Sequence, residues 1–562
     1  MSSFRPRYEQ ARSKVHDRLT QPSSWKLPKQ KSSIAPQNVW SNADQDPVPP
    51  EKRTWDGFAF VMYWFSDLVT VSGWSAPASI LTVGLTATDA ILITLVAAIC
   101  NAIPTVLNGA IGANLHVPFP VAIRASYGYW LSYFCVVSRG ILAMFWFGVQ
   151  GAFGAACVTP IICAIWPSYA HIKNTLPPSA GITTQGMVSY LLYNLIQFPF
   201  LLIPTHKLKL MFMIKTIAVP PTALAMVIYV SVKAGNGSSF FNQPSSVHGS
   251  TRAWLWLSNL TSVTGGFSTL AVNISDFSRF AKTPGAQVWQ LPFIPFFKVI
   301  VGVFGVVAAS ATTTLYGQTL WSPIDIISQW NDSAGGRAAM FFCGLVWLLA
   351  QICVNISANS VSFANDITTL FPKWFNIRRG VIFVSLIGGW ALCPWIIIKS
   401  ATTFLSFMGG YAIFMAPIAG ILFSDYWIIK KRKYDVPALY DPHGIYRYNK
   451  FGCNWRALIT NLVVVVPLLP GLAKAVSPDT VHINSGLQHL YSINWLYGFC
   501  LSIFLYVGFN FVRPDSRTLI DRIVYGTPVY DGTEADAETN GSDHEKKGVV
   551  ESVTTGKPDA TM

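Results

Sequence analysis

SGWSAP, residues 72–77, interrupts the first long apolar run of the chain, and TGGF, residues 264–267, interrupts the sixth. Gly and Pro in a membrane helix are tolerated where the backbone lines a cavity or is buried in protein. A Gly can also simply mark close helix packing. The positions favour the first reading, because the breaks fall in spans one and six, matching places in two successive sets of five. Matched interruptions are the sequence pointer to inverted repeats with a site near the bilayer midplane.

The surrounding pattern supports this frame. Only 12% of the 562 residues are charged, against 51% hydrophobic, whereas soluble chains carry roughly 25% charged residues. Spanning helices of about 20 apolar residues can be placed near 57–83, 89–111, 134–163, 187–204, 211–233, 254–274, 293–315, 338–363, 381–398, 402–424, 457–476 and 493–512. This predicts an all-α membrane protein of twelve transmembrane helices. It has an N-terminal tail (1–56), a first five-span set (57–233), a second (254–424), two further spans (457–512) and a C-terminal tail (513–562). With both tails cytoplasmic, the loops holding Arg124, Lys207, Lys209, Arg279, Lys282, Lys373, Arg378, Arg379 and Lys430 to Lys433 lie inside, as the positive-inside rule requires. The sequons at Asn236 and Asn331 then fall outside. The first residues lack an apolar core, so no cleavable signal peptide is expected.

Polar residues inside the spans locate the site. Trp146 and Gln150 are four residues apart and share one face of span three. An amide has two donors and two acceptor lone pairs, and each polar group left unpaired in hydrocarbon costs several kcal/mol. A flat heterocycle stacked on the indole and paired with the amide satisfies both residues, as would a hydrogen bond between helices. Span eight, LLAQICVNISANSVSFAND (348–366), adds Asn355 and Asn359 four residues apart, with Ser357, Ser360 and Ser362. This stripe is too polar for lipid and forms a second amide cluster. Two such clusters beside broken backbone describe a site for a neutral, planar, hydrogen-bonding solute. Arg139 and Lys298 lie near predicted helix ends, where long cationic side chains snorkel to the interface. Asp67, in span one, is an intramembrane carboxylate and hence a functional hypothesis; it carries a coupling proton or holds a partner helix. Asp276, at the cytoplasmic end of span six, could pair with Arg279 or with the tail, and gating is a role open to it.

Other classes lack their residues. The basic residues are scattered between apolar runs, which argues against a nucleic-acid partner. No nucleotide-binding glycine loop is present, no nucleophile elbow, and no histidine sits mid-span beside a carboxylate. No enzyme, cofactor or metal is expected.

The order of motifs also has a family counterpart. WSNADQDPVPPEKRTW (40–55), YWFSDLVTVSGW (63–74), NGAIGANLHVPFPVAIRASYGYW (108–130), SRGILAMFWFGVQ (138–150), GGFSTLAVNISDFSRF (265–280) and NISANSVSFANDITTLFP (355–372) resemble the nucleobase–cation symporter-1 family. Within it they resemble the fungal uracil and allantoin (Fur-type) permeases. The resemblance implies a leucine-transporter-like fold with a five-plus-five inverted repeat plus two helices. It implies that Trp146 and Phe267 sandwich the substrate, that Gln150 and Asn359 hydrogen-bond it, and that the Gly266 backbone and the Thr70 side chain contribute. Thr70 stands where other members can carry an amide. In sodium-coupled relatives span eight supplies two hydroxyls to the cation; the matching positions here are Cys353 and Val354, which offer no hard oxygen ligand.

The expected function is therefore secondary active, proton-coupled uptake of a heterocycle of the uracil, allantoin and uric acid class across the plasma membrane. The alternatives are a thiamine, nicotinamide riboside or nucleoside permease of the same family, and a non-transporting receptor. Lys14, Lys26, Lys29, Lys31, Lys546, Lys547 and Lys557 in the tails are candidate acceptors for ubiquitin-ligase machinery.

Overall fold

The computed structural model describes residues 20–29, 32, 34–203, 209–235 and 245–525. Lys14, Lys31, Lys546, Lys547, Lys557, Lys207 and the Asn236 sequon lie outside the described residues. The described chain is helical, with only isolated bridges at Trp55–Ala281 and Asp435–Val524.

Both interruptions are present, and the first lies slightly earlier than the glycine suggests. Span one is Gly57–Leu68, a bend at Val69 and Thr70, then Val71–Ser79. The Thr70 hydroxyl caps the second half by accepting from the Gly73 amide at 3.1 Å, as an N-cap residue does. Gly73 is needed because a Cβ there would lie 2.0 Å from the Leu68 carbonyl oxygen. Span six is Gly249–Gly265, a bend at Gly266 and Phe267, then Ser268–Asn273 and Ser275–Ser278.

Among the described residues, eight helices are long and apolar enough to cross a membrane. They are spans two, three, five, seven, eight, ten, eleven and twelve. Of the other four, spans one and six are broken, span nine is short, Ile377–Trp390, and span four, Thr184–Leu201, is long enough but carries Gln185, Asn194 and Gln197 among its apolar residues. The two breaks are five spans apart, the spacing that two five-span repeats give. Span nine stops earlier than predicted because Pro394 follows Cys393, which is held at φ +45°; proline disfavours helix in the residue before it. Span seven starts earlier, as Pro284–Trp289 leading into Gln290–Tyr316. Span eight, Ala334–Val354 and Val361–Leu370, contains a π-helical turn at Asn355–Ser360.

Hydrogen bonds sort the spans into two groups. Spans two and six run side by side in parallel, and their partners keep one offset of 163 residues. Arg252 pairs with Asp89, Asn101 donates to the Thr264 carbonyl, Asn108 to the Ala271 carbonyl, and His116 meets the Arg279 carbonyl. Span seven joins them through Lys298 on Asn101 Oδ1 (2.8 Å), and span one through Trp64 on Gln290 Oε1 (2.7 Å). The second group is spans three, four, eight and nine. Asn355 donates to the Phe147 carbonyl (3.1 Å) and Gln197 Oε1 (3.0 Å). Tyr190 donates to the Gly389 carbonyl, and Arg139 pairs with Asp366.

Residues 40–56 are not a loose tail. Trp40 donates to the Pro372 carbonyl and Gln45 to the Asn365 carbonyl, while Arg279 donates to the Asp44 carbonyl and the Val48 amide to the His116 carbonyl. This segment thus lies across one end of both groups.

Candidate functional site

A cavity opens between the two groups, at the two breaks. Its lining includes Asp67, Ser72 and Gly73 of span one, Trp146 and Gln150 of span three, Gly266 and Phe267 of span six, Lys298 of span seven, Asn359 of span eight, and Phe404 and Met408 of span ten. Trp146, Gln150, Gly266, Phe267, Asn359 and Asp67, all singled out in the sequence, therefore meet in one place.

Gln150 is held by protein on both ends of its amide. Its Nε2 donates to the Ser72 hydroxyl at 2.9 Å, and its Oε1 accepts from Gln351 Nε2 at 2.7 Å. Gln351 in turn accepts from the Val71 amide at 3.1 Å. One backbone donor at the start of a half-helix, otherwise an orphan, is thereby satisfied from span eight. Gln150 keeps one N–H and one lone pair for a solute. Asn359 donates to Asn355 Oδ1 at 3.0 Å, which orients its amide in the cavity wall.

Trp146 is also oriented. Its Nε1 donates to the Tyr411 hydroxyl at 2.8 Å, and that hydroxyl donates to the Gly265 carbonyl at 2.9 Å. Phe407 stands edge-on to the indole, with centroids 5.6 Å apart. Tyr411 itself sits between the two halves of span ten, Ala401–Gly410 and Ala412–Phe423. Close approach of span ten to the break of span six requires glycine, since a Cβ at Gly265 would lie 2.0 Å from the Met408 carbonyl oxygen.

Three sequence expectations change. Thr70 does not line the cavity: it is fully buried, its hydroxyl committed to the Gly73 cap and to Ser72. Arg139 and Lys298 do not snorkel. Arg139 is buried, paired with Asp366 and donating to the Ser362 carbonyl. Lys298 is buried on Asn101 Oδ1 and the Val263 carbonyl. Two further predicted residues lie outside the cavity wall. Asn355 ties spans three, four and eight together. Asp276 accepts from the Phe119 amide at 3.0 Å and from Asn273 at 3.2 Å, joining span six to the connection between spans two and three.

Sequence reasoning missed Gln351, Tyr411 and Lys215. Gln351 precedes Asn355 by one turn, so the amide stripe of span eight could have been extended back to it. Tyr411 carried no signal. Lys215, in span five, is fully buried and donates to the Ser66 carbonyl and hydroxyl next to Asp67. Its ammonium thus occupies oxygen ligands of the broken first span.

Residues 47–498 match the family described as permeases for cytosine and purines, uracil, thiamine and allantoin. An uncharacterized permease of Schizosaccharomyces pombe is 38% identical over 484 residues, covering 86% of each chain. The allantoin permease of Saccharomyces cerevisiae is 31% identical, covering 87% of this chain and 77% of its own. The uracil permease of the same yeast is 30% identical, covering 86% and 78%. In fold, the chain is similar to Mhp1, a nucleobase-cation-symport-1 family transporter solved with bromovinylhydantoin bound. The TM-score is 0.64 at 20% identity, over 85% of this chain and 98% of that one. Its five-plus-five helix plan, its interrupted spans and these relatives agree, and the chain belongs to the nucleobase–cation symporter-1 family, in the branch of the fungal uracil and allantoin permeases, as a multi-pass membrane transporter and not an enzyme.

Proposed function

We propose that this transporter imports a planar heterocycle of the uracil, allantoin and uric acid class across the plasma membrane, driven by the proton gradient, with both termini cytoplasmic. The observation that carries this reading is the meeting of Trp146, Phe267, Gln150 and Asn359 around one cavity at the two helix breaks. The rings supply faces for stacking, and the amides supply the mixed donor and acceptor edge that a ring N–H and C=O require. The interrupted backbone lets both groups of spans contact one solute, so that rocking one group against the other exposes it to each side in turn.

Proton coupling follows from the neighbourhood of Asp67. Sodium wants several hard oxygen ligands. Here the Ser66 carbonyl and hydroxyl already serve the Lys215 ammonium, and Cys353 and Val354 bring no hydroxyl. A proton needs only a titratable group, and Asp67 lines the cavity beside that ammonium.

The test is uptake of labelled uracil, uric acid, allantoin and thiamine in a host without its own permeases, with Gln150→Ala and Asn359→Ala alongside. Losing a partner for a buried polar group costs about 1–3 kcal/mol, so each variant should raise KM roughly 5- to 150-fold at normal surface abundance. Unchanged kinetics in both variants would remove the amides from the site. Uptake of thiamine alone would replace the substrate class.

A further inference from the structure

Lys298 makes no ion pair among the described residues. Its ammonium donates to Asn101 Oδ1 (2.8 Å) and to the Val263 carbonyl (3.0 Å), and lies 4.6 Å from the centroid of the Phe267 ring. The side chain is 4% exposed and lines the cavity. An ammonium has three donors, and these contacts use two. Of the other charged side chains at the cavity, Arg139 pairs with Asp366, and Asp67 follows Ser66, whose carbonyl and hydroxyl accept from the Lys215 ammonium. An unpaired charge at membrane depth, such as that of Lys298, is costly and marks a pathway or a ligand. The amide oxygen, the carbonyl and the ring face offset part of that cost, and none of them neutralises the charge.

We infer that Lys298 is a specificity-determining residue, which makes this cavity favour planar heterocycles carried as a mono-anion, a deprotonated ring imide or lactam, over their neutral counterparts. The inference rests on the proposed reading of the cavity as the heterocycle site. The ring that Lys298 overlies, Phe267, is the one assigned to stack on the solute, so charge on the solute would lie one ring away. Negative charge spread over ring oxygens and nitrogens suits the free ammonium donor and the Gln150 and Asn359 N–H groups together. Asp67, in the same cavity, opposes an anion only when ionised; carrying the coupling proton, as the proposed function has it, it is neutral. Opposite unit charges roughly 8 Å apart at an effective dielectric of about 20 change affinity on the order of 30-fold.

The experiment measures uptake of labelled uracil, neutral at pH 7, and labelled uric acid, a mono-anion at that pH. The wild type is compared with Lys298→Gln and Lys298→Arg. Gln keeps a hydrogen-bond donor without the charge, and Arg keeps the charge. The expected results are a lower KM for uric acid than for uracil in the wild type, a rise of on the order of 10- to 30-fold in the uric acid KM alone in Lys298→Gln, and retention of the preference in Lys298→Arg. A wild type that prefers uracil overturns the inference and leaves the site reading standing. So does a Lys298→Gln variant that weakens both solutes equally, because Lys298 would then only brace the break of span six. If the wild type takes up neither solute, the site reading itself fails, and the inference with it.

Discussion

Tyr411→Phe removes one oxygen atom and creates almost no space, yet that oxygen connects three spans. It accepts from Trp146 Nε1 at 2.8 Å and donates to the Gly265 carbonyl at 2.9 Å. Both partners are buried, so neither finds water when the hydroxyl is gone. An unpaired buried donor or acceptor costs about 1–3 kcal/mol. An arrangement in which span ten moves away lets water reach both groups, so the penalty falls on the arrangement in which span ten meets spans three and six. Counting one such penalty gives a rise in KM of roughly 5- to 150-fold; counting both sets the upper limit. The edge-on contact between Trp146 and Phe407 persists, so the indole stays in the wall but loses its fixed direction. The assay is concentration-dependent uptake of the transported heterocycle, normalised to surface protein measured with a fluorescent tag. Wild-type KM and maximal rate in Tyr411→Phe would refute the bridge between spans three, six and ten as a determinant of uptake.

Replacing external sodium by choline at fixed pH should leave uptake unchanged, whereas lowering external pH should raise it; a strong loss without sodium would overturn the proton assignment. Asp67→Asn should abolish accumulation against a gradient, and an unaltered pH profile in that variant would move the proton elsewhere. Gly265→Ala should reduce uptake far more than Gly266→Ala. The added methyl of the first meets the Met408 backbone oxygen at 2.0 Å, and that of the second meets the Met408 sulfur, the flexible part of a side chain, at 3.1 Å. Overpacking of this kind costs about 1–3 kcal/mol. Equal activities of the two variants, compared at equal surface abundance, would contradict the close approach of spans six and ten.

The breaks and the aromatic–amide pairs were legible because each is local. A glycine inside an apolar run, or a polar residue four positions after a tryptophan, needs no knowledge of the partner. The charged residues were misread for two physical reasons. The apolar run of span seven starts at 293, which puts Lys298 near a helix end. The helix begins at Gln290 after the turn Pro284–Trp289, so at 1.5 Å per residue Lys298 lies about 12 Å along it. Arg139 taken alone in the sequence has no partner; its role comes from Asp366, a residue of span eight brought to it only by folding. Lys215 escaped notice because a lone lysine in span five says nothing until the carbonyl of Ser66 stands opposite it. The family resemblance places Thr70 on the solute. The half-helix beginning there has a prior claim on any hydroxyl, since its first amide groups lack intrahelical partners.

The π-helical turn at Asn355–Ser360 sets the phase between the two ends of span eight. Upstream of it, Gln351 faces Gln150 and the break of span one. Downstream, Ser362 receives Asn273 and Asp366 receives Arg139. A π turn holds one residue more than the α turn it replaces, and one residue is about 100° of rotation. The wider turn takes up that surplus residue without rotating the downstream half, so deleting a single residue within 355–360 would let the helix relax to regular α geometry with Gln351 still facing Gln150 and Asp366 still facing Arg139. The alignment of the amide end with the ionic end of this span thus survives the loss of one codon at the turn, whereas a single-codon insertion taken up as regular helix would rotate one end by about 100° against the other without touching a side chain at either of them.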